Sequence, residues 1–192
     1  MLKTKLLLSL EDNNATIGIL GLGKIGWPLT CRFAMQNIHA LGFTMRPEIA
    51  ETTNNGVNYL HDKTVPDDPG MVRQKYVYKD LLHGTTDLFS AVHKDFVFIC
   101  IDDLAEELSQ DTHTTLYQYT DGIACALQSG TALIFIVRDI SFFADIITDI
   151  KVHLAERSLL EQNKDFSVTV LTDDYILNTP ISEILHTIQN NI

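Results

Sequence analysis

Short apolar runs alternate along this chain with longer segments in which apolar residues recur every three or four positions. The runs have the length and the β-branched or aromatic content of buried strands. They lie at Ile17–Leu20, Ile38–Phe43, Phe96–Ile101, Ala132–Val137 and Phe166–Leu171. The nearly continuous apolar character of the later runs predicts strands that are covered on both faces of a sheet.

The intervening segments have the periodicity of amphipathic helices, beginning with one in which Ile25, Leu29, Phe33 and Ala34 share a face. The alternation predicts an α/β fold, a doubly wound and mostly parallel sheet with helices on both faces, in a single domain. The remaining predicted helices start at Pro47, follow a Thr85–Asp87 cap to Val92, and cover Thr114–Leu127, Phe142–Arg157 and Ile181–Ile188.

Asn54-Asn55-Gly56 marks a turn, and the next stretch, to about Gln74, is polar and broken by prolines and a glycine, which predicts a long loop with little regular structure. Its four candidate metal ligands have no defined spacing, and solvated loop side chains are the commoner interpretation, so no metal site is predicted. Those candidates are His61, Asp62, Asp67 and Asp68.

Three glycines, Gly21, Gly23 and Gly26, follow the first strand with the spacing G-x-G-x-x-G. In such a strand-turn-helix the first permits a tight turn, the second lets backbone approach a pyrophosphate, and the third lets helix and strand pack closely. The free N–H groups at the helix start, around Lys24 and Ile25, favour an anion. The pattern predicts a Rossmann-like dinucleotide-binding turn, although a turn kept only for packing would have the same spacing.

Thr44 follows the second strand, at the place where a dinucleotide-binding domain tests the adenosine ribose, usually with an acidic residue. Thr44 can bond a ribose hydroxyl, while Arg46 suits the 2′-phosphate of NADP. A solvent-facing Arg46 is an equal alternative, and the predicted cofactor is therefore NAD or NADP.

An acidic group follows the apolar run that ends at Ile101. In a doubly wound sheet this carboxyl end is the edge at which ligands bind, so the group is a candidate for function. A solvated acidic loop is the simpler expectation. The residues are Asp102, Asp103, Glu106, Glu107 and Asp111.

The formal net charge of −11 disfavours nucleic acid or an anionic membrane as a partner. Cys31, Cys100 and Cys125 each lie in an apolar context, which predicts buried thiols and a cytoplasmic protein. Residues 1–14 lack the length and cleavage site of a signal peptide and are predicted to form an arm, disordered or packed on a neighbour. The dinucleotide-binding domain is then expected over residues 15–192.

With these segments placed, the chain resembles the N-terminal domain of nucleotide-sugar dehydrogenases, the family of UDP-glucose and UDP-N-acetyl-mannosamine dehydrogenases. The resemblance implies a Rossmann-type fold and NAD or NADP binding through the glycine turn, with Thr44 and Arg46 near the ribose. It is carried, in order, by GLGKIGWPLT (Gly21–Thr30), GFTMRPE (Gly42–Glu48), NNGVNYL (Asn54–Leu60), TTD (Thr85–Asp87), FVFICI (Phe96–Ile101) and TDDYILNTPISEILH (Thr172–His186).

The sequence also departs from this family. The family's Pro-Thr-Pro after the fourth strand is replaced by Asp102-Asp103-Leu104, and its Ser-Thr-Val after the fifth by Val137-Arg138-Asp139. Its Pro-Glu after the sixth strand becomes Asp173-Asp174, which leaves Asp174 as a weak catalytic candidate. The family's nucleophilic cysteine and its catalytic lysine and asparagine belong to the sugar-nucleotide portion, which these 192 residues do not match.

The expected function is therefore dinucleotide binding, with no oxidation of sugar nucleotides by this chain alone. Two alternatives stay open. One is a non-enzymatic interaction module on a degenerate Rossmann scaffold, which binds a protein partner or a second copy of itself. The other is half of a split dehydrogenase that a separate chain completes.

Overall fold

The computed structural model describes Leu6 and residues 14–191, apart from the side chains of residues 142 and 145. Its centre is one six-stranded sheet in which all strands are parallel. The strands, in sequence, are β1 (Thr16–Leu20), β2 (His39–Phe43), β3 (Leu82–Thr85), β4 (Phe96–Cys100), β5 (Thr131–Val137) and β6 (Phe166–Thr172).

Helices connect the strands and cover both faces of the sheet, which confirms the predicted doubly wound α/β architecture. A π-helical turn, Arg73–Val77, directly follows the third helix. The helices are α1 (Gly26–Met35), α2 (Pro47–Asn54), α3 (Pro69–Val72), α4 (Leu88–Val92), α5 (Ile101–Leu108), α6 (Thr112–Ala126), α7 (Ile140–Ser158), α8 (Asp173–Asn178) and α9 (Ile181–Asn191).

The spatial order of the strands is β3-β2-β1-β4-β5-β6, so the winding reverses between β1 and β4. In a sheet of this kind a crevice opens at the reversal point, outside the carboxyl ends of the strands. The centre of the sheet is dry, since every residue of β4 and β5 is buried.

The edge strand β3 is missing from the sequence-based prediction. Its sequence, LHGT, contains one large apolar residue, Leu82, and an edge strand covered on one side needs no more. It pairs with β2 alone, and pairing with that neighbour, more than burial of its own side chains, determines its position.

The segment predicted as an irregular loop contains α3 and the start of the π-helical turn, so that prediction is wrong over residues 69–74. Asp68 caps α3 by accepting from the backbone N–H groups of Gly70 and Met71. The Asn58 amide donates to Asp62 O (2.9 Å), Val65 O (3.1 Å) and Asp67 Oδ1 (2.8 Å). The acidic residues of this segment thus shape its backbone.

Cys31 and Cys100 are buried as predicted, but Cys125 is exposed on α6, so the prediction of three buried thiols is wrong. The predicted arm lies outside the described residues apart from Asn14 and Leu6, which is buried in the core. Among the helices of the described ranges, none is both long enough and apolar enough to cross a membrane.

Candidate functional site

The glycine turn joins β1 to α1 as the sequence predicts. Gly21 has φ +93°, a conformation that favours glycine. A Cβ atom on Gly26 would lie 1.8 Å from the carbonyl oxygen of Gly21, so only glycine lets α1 start this close to the strand. The first and third glycines therefore do what the motif requires of them.

The free N–H groups of this turn point at a carboxylate of the chain itself. Oδ2 of Asp103 accepts from the backbone N–H of Gly26 (2.7 Å), of Gly23 (3.1 Å) and of Ile25 (3.1 Å). Gly23 supplies the close approach, because a Cβ there would lie 2.5 Å from Oδ1 of Asp103. The helix start thus binds an anion, and that anion is a side chain.

Asp103 reaches the turn because β4 passes directly into α5. Cys100 ends the strand, Ile101 starts the helix, and Asp103 is the third helical residue. A Cβ on Gly21 would lie 3.0 Å from Cβ of Asp103 and 3.2 Å from Cγ of Leu104, so the first turn of α5 packs on the glycine turn. The expectation of a solvated acidic loop is wrong here, since Asp103 is only 3% exposed.

Burial raises the pKa of Asp103 from 3.8 to about 6, the largest contribution being desolvation of the carboxylate. The hydrogen bonds from Gly26, Ile25 and Gly23 act in the opposite direction, and the nearby Glu107 raises the pKa further. The carboxylate is therefore held by good hydrogen bonds in a place that disfavours its charge.

Glu107 lies one turn further along α5 and binds the end of β2. Its Oε1 accepts from the hydroxyl of Thr44 (2.8 Å) and from the backbone N–H of Leu22 (3.4 Å). Its Oε2 accepts from the backbone N–H of Met45 (2.9 Å). Thr44 is buried, and its hydroxyl, predicted to face a ribose, faces Glu107.

Lys24 and Arg46 are exposed at the rim of the turn. The Lys24 ammonium lies 3.9 Å from Glu106, and both side chains are well solvated. The Tyr59 hydroxyl donates to the carbonyl oxygen of Leu22 (2.6 Å) and closes the side of the turn. These groups enclose a cavity of about 150 Å³.

Asp174 does not meet the glycine turn. It is exposed in the first turn of α8, and its Oδ1 accepts from the amide of Asn178 at 2.9 Å. The sheet order places β4 and β5 between β1 and β6, after which Asp174 comes. A catalytic role for Asp174 stays a prediction.

Asp102 points away from its neighbour Asp103. Its Oδ2 lies 3.6 Å from the guanidinium of Arg138, which follows β5. Burial raises the pKa of Asp102, and Arg138 acts against that rise. The two successive carboxylates thus contact residues after two different strands: Asp103 contacts the turn after β1, and Asp102 contacts Arg138 after β5.

Sequence reasoning identified the turn but missed its occupant. A spacing of four places residues 103 and 107 on one helix face, and no glycine or proline separates them from β4. Those two facts predict a helix with both carboxylates on one face, but they do not predict that this face packs on the turn. Among the residues that the structure describes, no group of three or more His, Cys, Asp or Glu side chains could hold a metal ion.

A dinucleotide pyrophosphate does not fit this arrangement. The N–H groups that should hold it already donate to Asp103, and the cavity beside them is smaller than the roughly 300–1,000 Å³ of ordinary ligand pockets. The N–H groups of the turn can donate to the Asp103 carboxylate or to a phosphate, but not to both.

The parallel sheet, its reversal at β1 and β4 and the glycine turn define a Rossmann-type fold. Neither a protein-family model nor a curated protein matches the chain. Similar solved structures are nucleotide-sugar dehydrogenases, and the chain has the fold of their N-terminal domain, as the sequence resemblance predicts.

Three such structures show the extent of the similarity. An NDP-N-acetyl-D-galactosaminuronic acid dehydrogenase from Methanosarcina mazei is 20% identical with a TM-score of 0.65, over 88% of this chain and 37% of its own. A UDP-D-ManNAc dehydrogenase from Pyrococcus horikoshii is 19% identical (TM-score 0.62; 82% and 36%). A GDP-mannose dehydrogenase from Pseudomonas aeruginosa is 18% identical (TM-score 0.62; 81% and 35%). The chain spans about a third of the length of these structures.

Proposed function

We propose that this chain binds an NAD-type dinucleotide at the glycine turn, in competition with its own carboxylates. The observation that supports this is the convergence of three backbone N–H groups on one anionic oxygen. Such a cluster at a helix start binds phosphate as readily as carboxylate. The proposed binding residues are Gly21, Gly23, Lys24, Ile25, Gly26, Thr44 and Arg46.

We also propose that NADP binds at least as well as NAD. Thr44 has no carboxylate of its own to repel a 2′-phosphate, and the Glu107 carboxylate that bonds Thr44 has to leave before the ribose of either cofactor can bind. The exposed Arg46 lines the cavity beside the turn. A charge-assisted bond from Arg46 would stabilise that phosphate.

The test is calorimetric titration of the wild-type chain and of Asp103→Ala with NAD, NADH, NADP and NADPH. Binding of any of the four by either chain supports the proposal. The proposal is wrong if both chains are folded and neither takes up a dinucleotide.

A non-enzymatic interaction module is the second candidate. It is supported by the same contacts, since a turn that is already bonded to Asp103 and Glu107 needs no ligand to be satisfied. A folded chain that ignores all four dinucleotides but self-associates or captures a partner would favour this candidate. Sedimentation with and without NAD separates the two, because a dinucleotide-binding domain should respond to the cofactor.

Oxidation of sugar nucleotides is not proposed for these 192 residues alone. That reaction needs a reactive thiol near the cofactor, and burial raises the pKa of Cys31 and of Cys100, which keeps both thiols protonated. Cys125 is exposed, but it lies in the last turn of α6, which leads to the amino edge of the sheet, opposite the glycine turn. We expect no NADH or NADPH formation with UDP-glucose, UDP-N-acetyl-mannosamine or GDP-mannose. Turnover by the purified chain would contradict this expectation, and turnover after addition of a second chain would indicate a split dehydrogenase.

A further inference from the structure

We infer that Asp103 and Glu107 are an internal occupant of the dinucleotide site and hold it closed. This inference rests on the proposed function and adds its regulation. The two side chains stand four residues apart on one face of α5, so a single helix delivers both carboxylates.

Asp103 takes the place that the glycine turn offers to a pyrophosphate. A phosphate oxygen at a helix start is held by backbone N–H groups, and here the N–H groups of Gly23, Ile25 and Gly26 donate to one carboxylate oxygen. Because these three N–H groups already donate to Asp103, a phosphate oxygen can accept from them only if the carboxylate is displaced.

Glu107 takes the groups that would face the adenosine ribose. A ribose is tested at the carboxyl end of the second strand of such a fold. In this chain the hydroxyl of Thr44 and the backbone N–H of Met45, both at that strand end, donate to Glu107. Side chains of α5 thus occupy the positions expected for both the pyrophosphate and the ribose of one dinucleotide.

The closure is part of the fold. Ile101, Leu104 and Ala105 anchor α5 in the core, and no loop residue separates the helix from β4. A dinucleotide can enter only if the Asp103 side chain leaves the turn or the first turn of α5 shifts. The apparent association constant is then the intrinsic constant multiplied by the fraction of molecules in which the turn is open.

The test compares ligand binding by wild-type protein and four variants, using calorimetry with NAD and with inorganic pyrophosphate as probes. Asp103→Ala removes the occupant, Asp103→Asn keeps its shape without the charge, and Glu107→Gln neutralises the second carboxylate. Glu156→Ala is the matched control, because it removes an exposed charge from α7, outside the cavity, and leaves the turn's N–H groups bonded to Asp103. Circular dichroism and thermal melts establish that each variant is folded.

We expect Asp103→Ala to bind NAD about tenfold or more tightly than wild type, with Asp103→Asn between the two and Glu156→Ala within about twofold of wild type. If Asp103→Ala does not fold, Asp103→Asn alone must show the gain. Equal NAD affinity in wild type and the Asp103 variants overturns the closure and leaves the proposed function intact. So does an equal gain in Glu156→Ala, which would show a general charge effect.

Pyrophosphate separates the remaining cases. If it binds Asp103→Ala but not wild type while no dinucleotide binds, the closure stands and the proposed function fails. If neither probe binds any folded variant, the turn is not an anion site, and both are wrong.

Discussion

Two cavities lie at opposite edges of the sheet, and the larger one is the poorer candidate for function. At the amino edge, the groups around β1 and β2 enclose about 580 Å³, nearly four times the 150 Å³ beside the glycine turn. Its walls carry His39, His83, Asp80 and Lys94. By size and polarity alone, the amino edge would be the better candidate for a ligand site.

The two edges differ in the backbone groups that they present. In a parallel sheet with connecting helices, the helix N-termini lie at the carboxyl edge and the C-termini at the amino edge. Only the carboxyl edge therefore offers free N–H groups and the positive end of the helix dipole. At the amino edge, His83 lies 2.8 Å from Asp80, and His39 bonds the Asp80 carbonyl at 2.6 Å, so the polar side chains pair with one another. Backbone polarity, more than volume, identifies the anion site.

The largest expected effect is on the pH dependence of stability, which tests the buried carboxylate at the carboxyl edge. Because the folded-state pKa of Asp103 is about 6 and the ordinary value is 3.8, the folded chain binds more protons than the unfolded chain between these values. Its contribution to the free energy of unfolding should fall by up to about 3 kcal/mol as the pH rises from 4 to 7. Asp103→Asn should lack this loss.

Urea unfolding of both chains at pH 4.5 and pH 7.5 gives the measurement. The free energy of unfolding of Asp103→Asn, relative to that of wild type, should increase with pH. Glu106→Gln should show the same pH dependence as wild type. A difference between Asp103→Asn and wild type that is independent of pH would contradict the buried carboxylate.

A double-mutant cycle at Gly23 tests the contact itself. Because a Cβ on Gly23 would lie 2.5 Å from Oδ1 of Asp103, Gly23→Ala should destabilise wild type by about 1–3 kcal/mol. In the Asp103→Ala background the same change should cost at least about 0.5 kcal/mol less, because the carboxylate atoms at 2.5 and 2.6 Å are gone and only Cβ of residue 103, at 2.9 Å, remains. Equal costs in the two backgrounds would mean that Asp103 does not occupy the turn.

Removal of Arg46 tests which dinucleotide the opened site prefers. In the Asp103→Ala background, Arg46→Ala should weaken NADP by about tenfold and NAD by much less, because a single charge-assisted bond is lost. Titration with both cofactors gives the ratio, and Lys63→Ala, on a loop outside the cavity, is the control. An equal effect on NAD and NADP would exclude a role for Arg46 in recognising the phosphate.

The smallest effect is expected at the amino edge. His83→Ala removes a side chain from the larger cavity and breaks its pairing with Asp80. Pyrophosphate affinity of Asp103→Ala should stay within about twofold, since partly exposed ion pairs contribute little and the turn lies at the other edge. A large loss would indicate that the amino edge is the anion site.

The sequence predicts the scaffold well because its signals are local. Five strands and the glycine turn follow from apolar runs and from the steric needs of Gly21 and Gly26. The edge strand β3 and the helix α3 escape prediction because neighbouring segments and an Asp68 cap, more than hydrophobic periodicity, stabilise them.

The occupant of the site is harder to predict because it depends on a contact across 77 to 80 residues of sequence. A cluster of acids after a strand is usually solvated, and composition gives no reason to bury one of them. Only the direct passage from β4 into α5 turns Asp103 inward while its neighbour Asp102 faces Arg138.

The most direct test of the closed site is the pH titration of backbone amide resonances in the wild-type chain. The amides of Gly23 and Gly26 donate to Asp103, whereas the amide of Gly56 donates to the backbone carbonyl oxygen of Thr53 at 2.9 Å and serves as the control. Glu107 and Tyr59 also face this region, so the titration is repeated in Asp103→Asn. We predict that the Gly23 and Gly26 resonances move together with a midpoint near pH 6, that Gly56 stays still, and that Asp103→Asn abolishes the movement. Resonances of Gly23 and Gly26 that ignore pH, or that move equally in Asp103→Asn, would contradict the account.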